Sequence, residues 1–156
     1  MILIAHRALV NGPDSERENS ESAILECLKN NIDVEIDVWY KDHSWYLGHD
    51  RPTYEIDQKF LDKRGLWIHA KNFEAADRLC WLNKFQRKRL VYFWHESDER
   101  TLTSNKYWWT YPGRSLGIRS IAVMPESHLG VEDIRSCLRW SCAGICTDYV
   151  NILKTS

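Results

Sequence analysis

Asp33-Val34-Glu35-Ile36-Asp37-Val38-Trp39 alternates acidic and apolar side chains at a period of two, as a β-strand does. Glu35 and Asp37 therefore share one face, and Val34, Ile36 and Val38 share the other. On a surface strand this would be an ordinary solvated face. The rest of the chain argues for a covered sheet instead. Ile2 to Ala5, Leu66-Trp67-Ile68, Leu90 to Trp94, Lys106 to Thr110, Ser120 to Met124 and Ala143 to Thr147 read as six more strands, largely apolar. In a sheet covered on both sides, an inward acidic pair is costly unless a cation compensates it.

Helical stretches separate these strands. Ser20 or Ser22 caps one, with Ile24, Leu25 and Leu28 on its inner face. Asn72 caps another that runs through Phe73, Ala76 and Leu79, and Val131, Ile134, Cys137 and Leu138 form an apolar stripe at helical spacing. Such alternation predicts an α/β fold with a parallel sheet. A closed barrel and an open doubly wound sheet both fit the order. His6, Asp37, Lys71 and His95 fall at or just past the C-terminal ends of different strands. In a (β/α) barrel, that rim is where reactive side chains converge. The chain's 156 residues fit one domain over 1–156. They fall well short of the roughly 250 typical of a full barrel. The expectation is a shortened or incomplete TIM-type (β/α) barrel of about seven parallel strands, with outer helices sparse or missing on one side.

Composition narrows the partners. Net charge is −1, from 21 basic and 22 acidic residues, so no general attraction to nucleic acid is expected. The basic run Lys84 to Arg89 reads as a solvated helix end, with a binding patch as the minority reading. No apolar stretch approaches the length of a membrane span, and no signal peptide is recognised at the N-terminus. Five cysteines, an odd count without a secretory signal, suggest reduced thiols in a cytoplasmic setting. Cys142 and Cys146 lack a second pair at zinc-site spacing and read as buried thiols. Eight tryptophans are chiefly core, although Trp94, Trp108 and Trp109 are candidates to line a pocket.

The chemistry follows from the polar residues. Two carboxylates on one strand face can grip a divalent cation. His6 precedes them at a strand end and His49 follows on a loop, so two imidazoles can flank the cation. Arg7 offers a bidentate contact to a phosphate and Lys71 a point charge. This set suits cleavage of a phosphodiester: one imidazole takes a proton from the attacking oxygen and the other gives one to the leaving alkoxide. Asp50 either orients His49 or begins the turn towards Pro52. His95 touches substrate or serves structure, and Asp148 is expected to fix the final loop.

His6-Arg7, Glu18-Asn19-Ser20, Glu35-Ile36-Asp37 and Gly48-His49-Asp50, in this order, resemble the opening motifs of the glycerophosphodiester phosphodiesterase family. That family belongs to the phospholipase-C-like phosphodiesterases, which have a TIM-type barrel. Ala70-Lys71 and Gly144 to Tyr149 are similar to its third-strand lysine and closing Thr-Asp motif. The resemblance is densest over residues 4–50 and thin from about 75 to 140. It implies His6 and His49 as acid and base, Glu35 and Asp37 as metal ligands with a third ligand two residues before Lys71, Arg7 and Lys71 on the phosphate, and Glu18 in support. This would be a shortened member with three departures. The third ligand position is His69 rather than a carboxylate, Ala8 replaces a glycine, and only nineteen residues separate His49 from His69. The implied cofactor is one divalent cation, Mg, Ca or Mn. His69, as ligand or as packing residue, shifts preference towards Mn or Zn.

The expected activity is therefore metal-dependent hydrolysis of a small glycerophosphodiester-like substrate. Two alternatives stand beside it. One is a non-catalytic phosphate-binding relative. The other is a zinc hydrolase using His6, Glu35, Asp37, His49 and His69 as ligands.

Overall fold

A computed structural model describes residues 1–154. In chain order its elements are β1 (Ile2–Ala5), α1 (Glu21–Lys29), β2 (Asp33–Lys41), β3 (Ser44–Leu47), β4 (Tyr54–Ile56), β5 (Leu66–Ala70) and α2 (Phe73–Phe85). Then follow β6 (Tyr92–Phe93), β7 (Arg100–Leu102), β8 (Trp108–Thr110), β9 (Ser120–Val123), α3 (Glu126–Leu129), β10 (Gly144–Thr147) and α4 (Val150–Lys154). All seven stretches expected as strands contribute one. They are parallel and lie side by side in the order β6-β5-β2-β1-β10-β9-β8. The first strand of the chain thus pairs with the last, Ala5 opposite Thr147.

The sheet is not made of parallel strands alone, and among the described residues its strands number ten rather than seven. The loop expected to carry His49 begins as a hairpin. Asp42 and His43, at φ 49° and 66°, turn the chain between β2 and β3. Two successive left-handed residues form the two-residue turn that matches strand twist. Asp-His is not the usual Asn-Gly or Asp-Gly of such turns, so the signal is weak in the sequence. β3 and β4 then extend the sheet antiparallel beside β2, and β7 lies antiparallel against β8.

The sheet curls until its ends meet. Ser104, just after β7, donates from its backbone N to the Tyr92 carbonyl at 2.8 Å, and its hydroxyl accepts from the Tyr92 N at 3.0 Å. Thr101 Oγ1 donates to the Trp94 carbonyl at 3.0 Å.

Curling gives the sheet two unlike faces. Ile4, Trp67, Phe93, Trp109, Ile121, Val123 and Cys146 pack together inside. Glu35 stands opposite Trp67 and Asp37 opposite His69, so these pairs share the inner face. Val34, Ile36, Val38 and Ile68 point outward and pack with Ala23, Ile24, Ala75 and Leu79 of the two long helices. On the other half, outside β8, β9 and β10, only the four- and five-residue helices α3 and α4 and a 3₁₀ stretch, Ile134–Arg139, are present. The outer layer is sparse on that side.

Both expected caps form. The Ser20 hydroxyl accepts from Ala23 N at 3.3 Å, and Asn72 Oδ1 accepts from Ala75 N at 3.2 Å. The buried faces are displaced from expectation: α1 buries Ala23, Ile24 and Cys27, leaving Leu25 exposed, and α2 buries Ala75, Leu79 and Leu82, leaving Phe73 exposed. In the third stripe Ile134 and Cys137 are buried and Leu138 is exposed.

β10 lies so close to its neighbours that a Cβ on Gly144 would stand 2.7 Å from the Ile2 carbonyl and 2.9 Å from Ile121 Cδ1. Gly144→Ala is expected to destabilise the fold by about 2 kcal/mol, as overpacking does. Gly117→Ala, in open space, is expected to be neutral within about 0.5 kcal/mol. Urea denaturation of the two variants checks this.

Candidate active site

The C-terminal ends of the parallel strands surround a cleft of about 740 Å³. His6, Arg7, Glu35, Asp37, His49, His69 and Lys71 all line it. Glu35 and Asp37 are 2% and 1% exposed, so the acidic pair faces the interior of the curl and not bulk solvent.

β1 ends in a tight turn, His6–Ala8, with Arg7 at φ 52° and Ala8 at φ 65°. The second value is a conformation that glycine adopts freely and alanine only under strain. The turn aims the Arg7 backbone N at Glu35 Oε2, 3.1 Å away. It also places the Arg7 side chain between Glu18 Oε1 and Asp37 Oδ2, each 3.2 Å away. His6 Nδ1 lies 2.7 Å from Asp148 Oδ1, a contact made possible by the pairing of β1 with β10. Asp148 in turn donates its backbone N to Glu126 Oε1 at 3.0 Å. It therefore holds His6 as well as the final loop.

Around Asp37 the contacts are dense. His69 Nδ1 stands 3.0 Å from Oδ1 and Lys71 Nζ 3.4 Å from the same atom. His69 Nδ1 is also 3.7 Å from Glu35 Oε1. Asn19 holds Asp37 from behind: its Oδ1 accepts from the Asp37 backbone N, and its Nδ2 donates to Oδ2, both at 2.9 Å. Asn19 was not among the expected site residues. Its signal lay in the Glu18-Asn19-Ser20 triplet, since asparagine tolerates the left-handed backbone it adopts here, φ 54°.

Burial and neighbouring charge set the protonation states. Burial and the Asp37 charge push Glu35 up to about 7. Burial also works to raise Asp37, but His69, Lys71 and Arg7 outweigh it and hold the carboxyl well below the usual range. Burial works to lower His6, yet the Asp148 hydrogen bond and the Glu35 charge leave it raised. For His69 burial prevails over Asp37 and the value falls.

His49 follows Gly48 (φ 142°) and is one-third exposed, and its Nδ1 lies 2.7 Å from Asp50 Oδ1. Asp50 is thus a partner of His49, although its side chain is almost fully in solvent. His95 and Tyr111 complete the far wall. His69 stacks on Phe93 and on His95 with ring centroids 4.9 and 4.8 Å apart, and His95 meets Tyr111 at 4.3 Å. Burial, with His69 and Lys71 beside it, drives His95 down to about 4.

Among the described residues, Glu35, Asp37 and His69 are the one group of three or more potential ligands whose donor atoms lie within 4.8 Å of one another. His6 and His49 stand outside it, paired with Asp148 and Asp50. Cys146 is buried in the interior cluster, and Cys142 donates its Sγ to the Gly144 carbonyl. Comparisons with protein-family models, curated proteins and solved structures return no match, so the site rests on its own geometry.

Asp148→Asn removes the charge that offsets burial at His6. The His6 pKa is expected above 6.5 in the parent and below it in the variant, read from the histidine NMR signals as pH is varied. Equal values in the two proteins would contradict the assignment.

Proposed function

We propose that the cleft is the active site of a metal-dependent phosphodiesterase similar to the glycerophosphodiester phosphodiesterases, and that the curled sheet is a shortened TIM-type barrel. The observation that carries this reading is the convergence of a buried acidic pair, an imidazole–carboxylate pair and two cations at the C-terminal strand ends. Two buried polar atoms of the cleft wall, His95 Nδ1 and Tyr111 OH, have no hydrogen-bond partner. Buried atoms left in that state are organised for a guest.

The residues fit a divalent cation. Two buried carboxylates beside one another repel, and the Asp37 charge helps to raise Glu35. A cation shared by Glu35, Asp37 and His69 relieves that repulsion, and when bound it supplies Lewis acidity to a phosphate oxygen. The protein's own groups do the rest. Arg7 and Lys71 lie beside Asp37 in the cleft and can turn to the phosphate oxygens. His6 keeps its proton towards neutrality through Asp148, which suits a general acid for the departing alkoxide. His49, exposed and paired with Asp50, suits the base that takes the proton of the attacking oxygen. Asn19 and Glu18 hold Asp37 and Arg7 in place. The substrate is a small diester of glycerophosphodiester type, and the five free cysteines suit a reducing, cytoplasmic setting.

One observation favours a second reading. Arg7, His69 and Lys71 already surround Asp37, an arrangement that a non-catalytic phosphate-binding protein would also have.

Hydrolysis of bis(p-nitrophenyl) phosphate separates the two. The parent is expected to hydrolyse it with Mn²⁺ and not with EDTA, and His6→Ala and Glu35→Gln are each expected to lose at least about 100-fold. Saturating Mn²⁺ is expected to raise the melting temperature of the parent by roughly 5–10 °C and that of Glu35→Gln by much less. Activity that survives EDTA and both substitutions contradicts the proposal. A phosphate-binding protein would bind inorganic phosphate and leave the diester intact.

A further inference from the structure

Helix α2 has two apolar faces. Ala75, Leu79 and Leu82 are buried. Phe73, Trp81 and Phe85 project from the other side and are 61%, 38% and 62% exposed. At 3.6 residues per turn the three fall within one outward arc, which runs about 18 Å along the helix. Trp94, 39% exposed after β6, extends the arc at the cleft end, its ring 5.9 Å from that of Phe73. Trp81 and Phe85 pair at 5.8 Å. Single exposed apolar residues are ordinary, whereas paired rings such as Trp81 and Phe85 at one helix end suit a surface that is covered.

Charge is divided along it. Residues 78–89 contain Arg78, Lys84, Arg87, Lys88 and Arg89 and no acidic residue, in a chain whose net charge is −1. Glu74 and Asp77 lie in the N-terminal half of the helix, within the same outward arc. The Arg78 guanidinium sits over the Trp81 ring at 4.4 Å, and Lys84 Nζ over Phe85 at 5.2 Å. Lys88 pairs with Asp62. The other four cations make no ion pair among the described residues.

We propose that the C-terminal half of the outer face of α2, from Trp81 through the basic run to Arg89, docks on an anionic lipid bilayer. Aromatic rings with cations beside them suit the boundary between headgroups and acyl chains. A protein partner would need an acidic group set against each cation. A leaflet of anionic headgroups meets them in any register, while the rings reach the layer beneath. Phe73 and Trp94 line the cleft at the other end of the helix, on the side of Glu74 and Asp77. The inference rests on surface residues and is independent of the reaction proposed for the cleft.

Sedimentation with vesicles tests it. The full chain is expected to pellet with phosphatidylcholine vesicles containing about 30% phosphatidylserine at low salt. It is expected to stay in solution with phosphatidylcholine alone, and to be released at roughly 0.5 M salt. Trp81→Ser with Phe85→Ser, and separately Lys84→Glu with Arg87→Glu, are expected to weaken binding at least about 10-fold. Circular dichroism is expected to stay unchanged in both variants, and the melting temperature in the charge variant as well, since Lys84 and Arg87 are exposed. Absence of binding to the anionic vesicles, or equal binding by the variants, overturns the proposal. Self-association that the same substitutions abolish, without vesicle binding, also overturns it and gives the face to a second copy of the chain.

Discussion

Two carboxylates buried side by side, Glu35 and Asp37, are the constraint around which this protein is arranged. Neither is more than 2% exposed, and they sit two residues apart on one strand face. Left alone, such a pair would flip the strand or hold a proton. Instead each neighbouring element contributes a compensating group. The turn after β1 brings a backbone N to Glu35 and a guanidinium to Asp37. β5 contributes His69 and Lys71, and the segment before α1 contributes Asn19. The strands that surround the pair are those whose order places their ends together. The topology and the electrostatics of the site therefore express the same requirement.

Much of this was visible in the residues. Largely apolar runs mark six of the seven parallel strands, because burial on both faces leaves few other compositions open, and acidic–apolar alternation marks the seventh, β2. The inward turn of Glu35 and Asp37 followed from period two alone, and the Ser20 and Asn72 caps from their side chains. Less was legible where the cause is tertiary. The β2–β3 turn uses Asp42 and His43 in place of a glycine, and β7 is three residues long, too short for a pattern. Leu25 is apolar and reads as part of the inner face of its helix. In the structure the smaller Ala23, Cys27 and Ala75 face the sheet and let α1 and α2 approach it closely. Asp148 could not be matched to His6 from a distance of 142 residues, since only the pairing of first and last strands brings them together.

The interior is unusual for its aromatic content. Trp67, Phe93 and Trp109 meet at ring separations of 4.5–5.9 Å below the site, and His69 stacks on the same assembly. Large flat side chains fill a curled sheet with few residues. They also leave His69 little rotational freedom, so the third member of the ligand group is held by packing as well as by its contact with Asp37.

The closure of the curl differs from every other junction in it. Elsewhere neighbouring strands share a ladder of backbone bonds. Between β6 and β7 the joint depends chiefly on two hydroxyls, those of Ser104 and Thr101, and one amide. Such a seam opens at lower free energy than a ladder, and amide hydrogen exchange would begin there. Trp94 lies on the seam and also on the cleft, so opening along this line would widen the aperture. The acidic pair sits two strands away, where the ladders of β2 with β1 and β5 keep its charges in register.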